Sequence, residues 1–258
     1  MTLTEYYNLP EGTNIALRYT SFFDTVSRDC PCPKEMYKAF NEQNQRKVVK
    51  KLYLSNTVRL ENMFDSCEYL QYFEDIENWD VSAVTNMRNL FIGCTYLKNL
   101  KGIENWDVSA VTDLSQMCQN CSNLLSLDLS RWDTSKVKTF ESMCYGCNKL
   151  TSFGAINCSG LSSKNYYPIR YYSDCTTLTE LGGFIGAKAS WDNTYGLCRL
   201  PNLTYQSCIN ILNGLHDFTA AGETPSSSQG ALKVHANFLT TVGDEISIGT
   251  NKGWTITT

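Results

Sequence analysis

The chain has 258 residues, with 22 Lys and Arg against 26 Asp and Glu and a net charge of −4. That balance gives no reason to expect a nucleic-acid partner, and no apolar run approaches the about 20 residues that membrane insertion needs. At 42% hydrophobic residues the composition is that of a well-folded chain, and one elongated domain accommodates it.

The first segment, Met1-Thr2-Leu3-Thr4-Glu5-Tyr6-Tyr7, has no basic start and no apolar core, so it does not read as a signal peptide. Either the protein is used without export, or an export signal was trimmed and a new Met supplied. Pro33-Lys34-Glu35-Met36 predicts a helix to about Lys47, with Pro at a permitted first-turn position. Val48 to Leu54 reads as a strand. Residues 1–51 are therefore read as an N-terminal cap. Cys30-Pro31-Cys32 has the chemistry to bind metal or cycle redox, but no second ligand group is evident, and a cap loop is the simpler reading. Arg46, Lys47, Lys50 and Lys51 form the only basic run, read as a solvated face.

Three later stretches are near copies, beginning Asn78-Trp79-Asp80-Val81-Ser82, Asn105-Trp106-Asp107-Val108-Ser109 and Arg131-Trp132-Asp133-Thr134-Ser135. The tryptophans are 27 and then 26 residues apart. Such a period predicts stacked coils. Alignment on Cys67, Cys94, Cys121, Cys147 and Cys175 gives five coils. Leu70, Leu97, Leu124, Leu150 and Leu178 follow each cysteine by three residues, and Phe73, Leu100, Leu127, Phe153 and Leu181 by six. Positions that stay apolar in every coil are expected to face the shared interior. Leu124-Leu125-Ser126-Leu127-Asp128-Leu129 has the L-x-x-L-x-L form of a leucine-rich-repeat strand, with Ser126 and Asp128 alternating outward. Other coils carry one residue more before the last apolar position, read as a bulge or wider turn.

In the turn that follows, Asp80, Asp107 and Asp133 are expected to bond their own backbone. Ser82, Ser109 and Ser135 are expected to cap a short helix, because Val84, Met87 and Phe91 fall at helical spacing. Ser66, Gly93, Asn120, Gly146 and Asp174 are mostly types that tolerate a left-handed conformation and stop a helix. The expected coil is strand, turn, short helix, stop. The fold class is thus an α/β solenoid, a leucine-rich-repeat-like stack of about five such coils with N- and C-terminal caps.

The run W-D-V-S-A-V-T-N-M-R-N-L-F-I-G-C-T-Y-L-K-N-L, residues 79–100, resembles the BspA-type leucine-rich repeat of bacterial surface proteins. The resemblance spans residues 52–186. The first coil lacks an upstream Trp-Asp, and the fifth reads Leu161-Ser162-Ser163-Lys164 where the motif belongs, as terminal repeats commonly do.

Residues 187–258 read as a C-terminal α/β cap. Thr204 to His216 predicts a helix with Cys208, Ile211, Leu212 and Leu215 on one face. Ala220 to Gly230 reads as a turn-rich loop. A strand follows at Leu232-Lys233-Val234, a short helix from Phe238 to Ile248, and a closing strand at Gly253-Trp254-Thr255-Ile256. The segments L-P-N-L-T at 200–204 and T-N-K-G-W-T at 250–255 are similar to the endings of repeat proteins from bacteriophages and their hosts.

Cys118/Cys121 and Cys144/Cys147 are two C-x-x-C pairs, which alone suggest a zinc site. The same positions hold Phe64/Cys67, Phe91/Cys94 and Tyr172/Cys175, so they read as packing positions and a buried thiol ladder. Cys208 and His216 make a formal Cys/His dyad, but eight residues along a helix separate them by about 12 Å. His235 is the other histidine. The Trp-Asp pairs lack the longer period and Gly-His partner of WD40 blades. The expectation is a non-enzymatic protein with no catalytic or metal-ligating residues and no cofactor.

Function is then expected on the outward strand positions, which differ from coil to coil: Tyr72, Glu74, Asn99, Lys101, Ser126, Asp128, Ser152 and Glu180. The tyrosines Tyr166, Tyr167, Tyr171 and Tyr172 pack against the C-terminal cap in the simpler reading, or offer a sugar or protein contact if exposed. The resemblance implies a surface-presenting protein, first a bacteriophage virion component (fibre or decoration) contacting the host. Its alternative is the ligand-binding part of a bacterial cell-surface adhesin. The implied partner is a protein or glycan on a cell surface, or another virion protein. The implied location is a virion, or the bacterial surface if an export signal was trimmed.

Overall fold

The computed structural model describes residues 48–49, 54, 57–161, 175–188, 197, 200–226 and 229–258. The expected helix at 33–47, the Cys30-Pro31-Cys32 loop, the basic run and the four tyrosines of the fifth coil lie outside them.

The inward leucines force short strands. Two-residue segments pair in parallel between some of the repeats: β1 (Val48–Val49) with β2 (Tyr72–Phe73), and β3 (Ser126–Leu127) with β4 (Ser152–Phe153). A second short strand of the fourth repeat, β5 (Ile156–Asn157), pairs with β7 (Phe184–Ile185), while β6 (Glu180–Leu181) extends the sheet to β3-β4-β6. Ser126, Ser152 and Glu180 stand side by side, as do Leu127, Phe153 and Leu181 behind them. A further parallel ladder joins Arg59, Asn86, Asp113 and Thr139.

The expected α/β solenoid of strand–turn–helix coils is overturned. Among the described residues of the repeats there is no α-helix, and the sheets are separate parallel pieces of two or three strands. The reason lies in where the amides go. Met87, Asn89, Phe91 and Gly93 donate to the carbonyls of Asp113, Ser115, Met117 and Gln119 in the next repeat. The intervening Leu90, Ile92 and Cys94 donate three residues back, to Met87, Asn89 and Phe91. An α-helix needs every one of these amides for its own carbonyls four residues earlier. Left-handed backbone recurs in each such segment, at Asn62 and Ser66, Asn89 and Gly93, Gln116 and Asn120, Ser142 and Gly146. The second of each pair is the residue expected to stop a helix; it turns a lateral ribbon instead.

The extra residue of the first two coils is taken up by a wider turn. Asp75 (φ 59°) and Gly102 (φ 109°) each precede a single 3-10 turn, Ile76–Asn78 and Ile103–Asn105. At Gly102 a Cβ would lie 2.9 Å from the Cβ of Glu77 in the repeat before, so the stack needs glycine there.

The five-leucine row is buried, with Leu100, Leu127, Phe153 and Leu181 beside it. Each such side chain contributes about 1.5–3 kcal/mol on burial. Trp79, Trp106 and Trp132 are buried and stacked, with ring centres 5.8 and 6.1 Å apart. Trp106 Nε1 donates to the Ile76 carbonyl at 2.8 Å and Trp132 Nε1 to that of Ile103 at 2.7 Å, so the row is also stitched by polar contacts.

Among the described residues the α-helices follow the repeats: α1 (Tyr205–Gly214), α2 (Ala236–Val242) and α3 (Ser247–Thr250). The expected single helix from Phe238 to Ile248 is instead α2, a 3-10 turn at Gly243–Ile246 and the start of α3. Strands β8 (Ala231–Lys233) and β9 (Thr255–Thr257) pair in parallel. Thr204 caps α1 by accepting from the Ser207 amide. Cys208, Ile211, Leu212 and Leu215 are buried. Helix α1 also closes the edge of the β3-β4-β6 sheet. The buried Ser207 hydroxyl donates to the Thr179 carbonyl at 3.0 Å and accepts from the Leu181 amide at 2.8 Å.

Candidate recognition surface

The turn after each tryptophan sets the outward faces. Ser82, Ser109 and Ser135 donate their amides to Asp80, Asp107 and Asp133 at 3.0–3.1 Å. These bonds from Ser109 and Ser135, side chain first and backbone second, hold the carboxyls of Asp107 and Asp133 below their ordinary range. The aspartates bond the backbone as expected. The serines cap no helix.

Along the strands, Tyr72, Glu74, Asn99, Lys101, Ser126, Asp128 and Glu180 are exposed and Ser152 is half-buried. The structure brings Ser126, Ser152 and Glu180 together in one row, and sets Tyr72 beside Val48. Asn99 and Asp128 also serve their own turns, accepting from the amides of Lys101 at 3.3 Å and Ser130 at 3.0 Å. Among the described residues, Glu74 and Lys101 take part in no ion pair.

Other exposed residues were not singled out by the sequence reading: Tyr69, Tyr96, Leu125, Tyr145, Ile185 and Tyr205. Tyr69 and Tyr96 stack with ring centres 5.4 Å apart and 13° between planes. A signal for the pair was present. The position two after the register cysteine reads Tyr69, Tyr96, Asn123, Lys149 and Thr177, polar in three coils and therefore outward.

Every cysteine among the described residues is buried. Cys94, Cys121, Cys147 and Cys175 donate their thiols to the carbonyls of Phe64, Phe91, Cys118 and Cys144 in the preceding repeat, at 3.1–3.4 Å. Burial pushes the Cys94 and Cys118 thiols well up, and the contact with Cys147 together with burial does so for Cys144. Among the described residues no three His, Cys, Asp or Glu side chains converge as a metal site does. The Cys208 thiol is pushed up to about 11 by burial, opposite to what a nucleophile needs. His216 turns instead to Glu223, Nε2 to Oε2 at 3.1 Å, and Glu223 also holds Lys188 at 2.9 Å. His235 caps α2, accepting from the Asn237 amide. No helix among the described residues is long and apolar enough to cross a membrane.

Residues 34–165, just over half of the chain, match the family described as Mycoplasma protein of unknown function, DUF285. The chain belongs to that family. The matched span covers the tryptophan row, the thiol ladder as far as Cys147 and the first six of the outward residues, with Ser152. DUF285 membership therefore rests on the repeats; the segment carrying α1, α2 and α3 lies outside the match. No curated protein matches the chain.

Proposed function

We propose that this DUF285 protein is non-enzymatic and works by presenting the outward row of its repeats to a partner. One observation carries the reading: outward side chains that vary along the stack, Tyr72, Asn99, Ser126, Ser152 and Glu180 at one position and Glu74, Lys101 and Asp128 at another, stand largely exposed on a frame whose inward positions stay apolar. A frame that repeats while its outer residues do not is suited to recognition, since the outer residues can change without touching the core. The partner is a protein or glycan on a cell surface, or another virion protein.

The leading setting is a bacteriophage virion, as a fibre or decoration component contacting the host. It is supported by the likeness of residues 200–204 and 250–255 to the ends of phage-associated repeat proteins, beside the BspA-type character of residues 79–100. The second setting is the bacterial cell surface, favoured by the family's description as a Mycoplasma protein. Mass spectrometry of purified virions and of envelope fractions tests both. Peptides enriched in virions support the first and peptides enriched in envelopes the second. Enrichment in a soluble enzyme fraction alone contradicts the surface role.

A further inference from the structure

We infer that the notch beside Tyr96 is a binding site for an acidic glycan, a pyranose ring that carries a carboxylate. This deepens, and rests on, the recognition role proposed above. Side chains at one position of successive repeats stand about 4.8 Å apart and run parallel. Tyr69 covers one face of the Tyr96 ring. The residue on the other side is Asn123, which is far shorter, so that face of Tyr96 is left open above it. The exposure agrees: Tyr96 is 48% exposed although a repeat lies on each side of it.

The floor of the notch is pinned. Asn123 Nδ2 donates to the Thr95 carbonyl at 2.6 Å, and Asn123 Oδ1 accepts from Lys149 Nζ at 2.7 Å. Lys149 is thereby held at the notch with ammonium protons to spare. The fold does not require the tyrosines, because the same position holds Asn123, Lys149 and Thr177 in later repeats. Two exposed aromatic side chains are surplus to packing.

Charge selects the ligand. The outward stretches 95–99, 122–126 and 148–152 contain Lys98 and Lys149 and no carboxylate. The flanking rows each bring one acid, Glu68 in the repeat before Tyr96 and Glu180 in the repeat after Lys149. An open aromatic face takes the C–H side of a sugar ring, and a fixed ammonium beside it pairs with a carboxylate.

The test is saturation-transfer NMR with 3′-sialyllactose and a hyaluronan tetrasaccharide, each beside a neutral counterpart, lactose or chitotetraose. At least one acidic sugar should bind, its neutral counterpart at least tenfold more weakly. Tyr96→Ala and Lys149→Met should each weaken the acidic sugar at least tenfold, and Asn123→Tyr, which fills the notch, should abolish binding. Each variant is first shown to melt cooperatively. If Asn123→Tyr does not fold, the other two still decide. Absence of binding by both acidic sugars, equal binding of neutral and acidic sugars, or binding that survives Tyr96→Ala overturns the inference. If no sugar binds but charge exchange at Lys101 and Asp128 still abolishes attachment, this inference falls and the recognition role stands.

Discussion

At the scale of single residues, the three stacked tryptophans and the ladder cysteines are structural. Trp106 fills the space between Trp79 and Trp132 and saturates the Ile76 carbonyl. Trp106→Ala should cost about 3–5 kcal/mol. Trp106→Phe keeps a ring but removes one of the two donors to the Ile76 carbonyl, the Trp79 amide remaining, and should cost about 0.5–1.5 kcal/mol. Chemical denaturation of both variants checks the order; equal, small losses would mean that the row is a ligand platform. The thiols of the ladder should react slowly with a thiol reagent in the native protein and rapidly in denaturant, since burial raises Cys94 and Cys118 away from the thiolate. About one zinc per chain by elemental analysis would contradict this. The outward residues were legible because Leu100, Leu127 and Leu129 fix which neighbours point away. Tyr69 and Tyr96 precede the alternating strand positions, so alternation with the buried leucines does not mark them.

At the scale of elements, the helix expected inside each repeat is the instructive failure. Val84, Met87 and Phe91 fit a helix over seven residues. A longer window excludes it. The buried residues run Val81, Val84, Met87, Leu90, then Phe91, Cys94, Leu97, Leu100, Ile103 and Trp106, every third residue with one shift of phase. A helix turns 100° per residue, so a strict period of three drifts 60° at each step and reaches the opposite side after three. Only a chain that turns repeatedly, with Asn89 and Gly93 in left-handed backbone, keeps such a row inside. Helix α1 was legible because Thr204 offers a cap and Cys208, Ile211, Leu212 and Leu215 keep helical spacing. Its role as the closing edge was not, since that depends on Ser207 meeting Thr179 and Leu181 across the sheet. Ser207→Val should leave the Leu181 amide without its hydroxyl partner, at about 1–3 kcal/mol, while the Thr179 carbonyl keeps the Thr204 amide. Lys252 completes the other end of α1, donating to the carbonyls of Leu212, Asn213 and Leu215. Lys252→Met should lower the melting temperature clearly, while Lys252→Arg should lose less.

At the scale of the whole molecule, acidity acts through the exposed turns. Asp107 and Asp133 titrate below their ordinary range when folded, so each contributes stability that is present above the unfolded carboxylate pKa. That contribution is lost as pH falls through the folded value. Melting temperature should therefore decline below about pH 4, and less steeply in Asp107→Asn. The central claim is that a constant buried frame carries a variable outer row that recognises a partner. Its most direct test exchanges the charges of that row, Lys101→Glu with Asp128→Lys. Purified protein is then measured for retention on intact host or producer cells, beside its melting temperature. Exposed substitutions change stability by under about 0.5 kcal/mol. The account predicts retention lost and melting nearly unchanged; retention equal to that of the unaltered protein would contradict it.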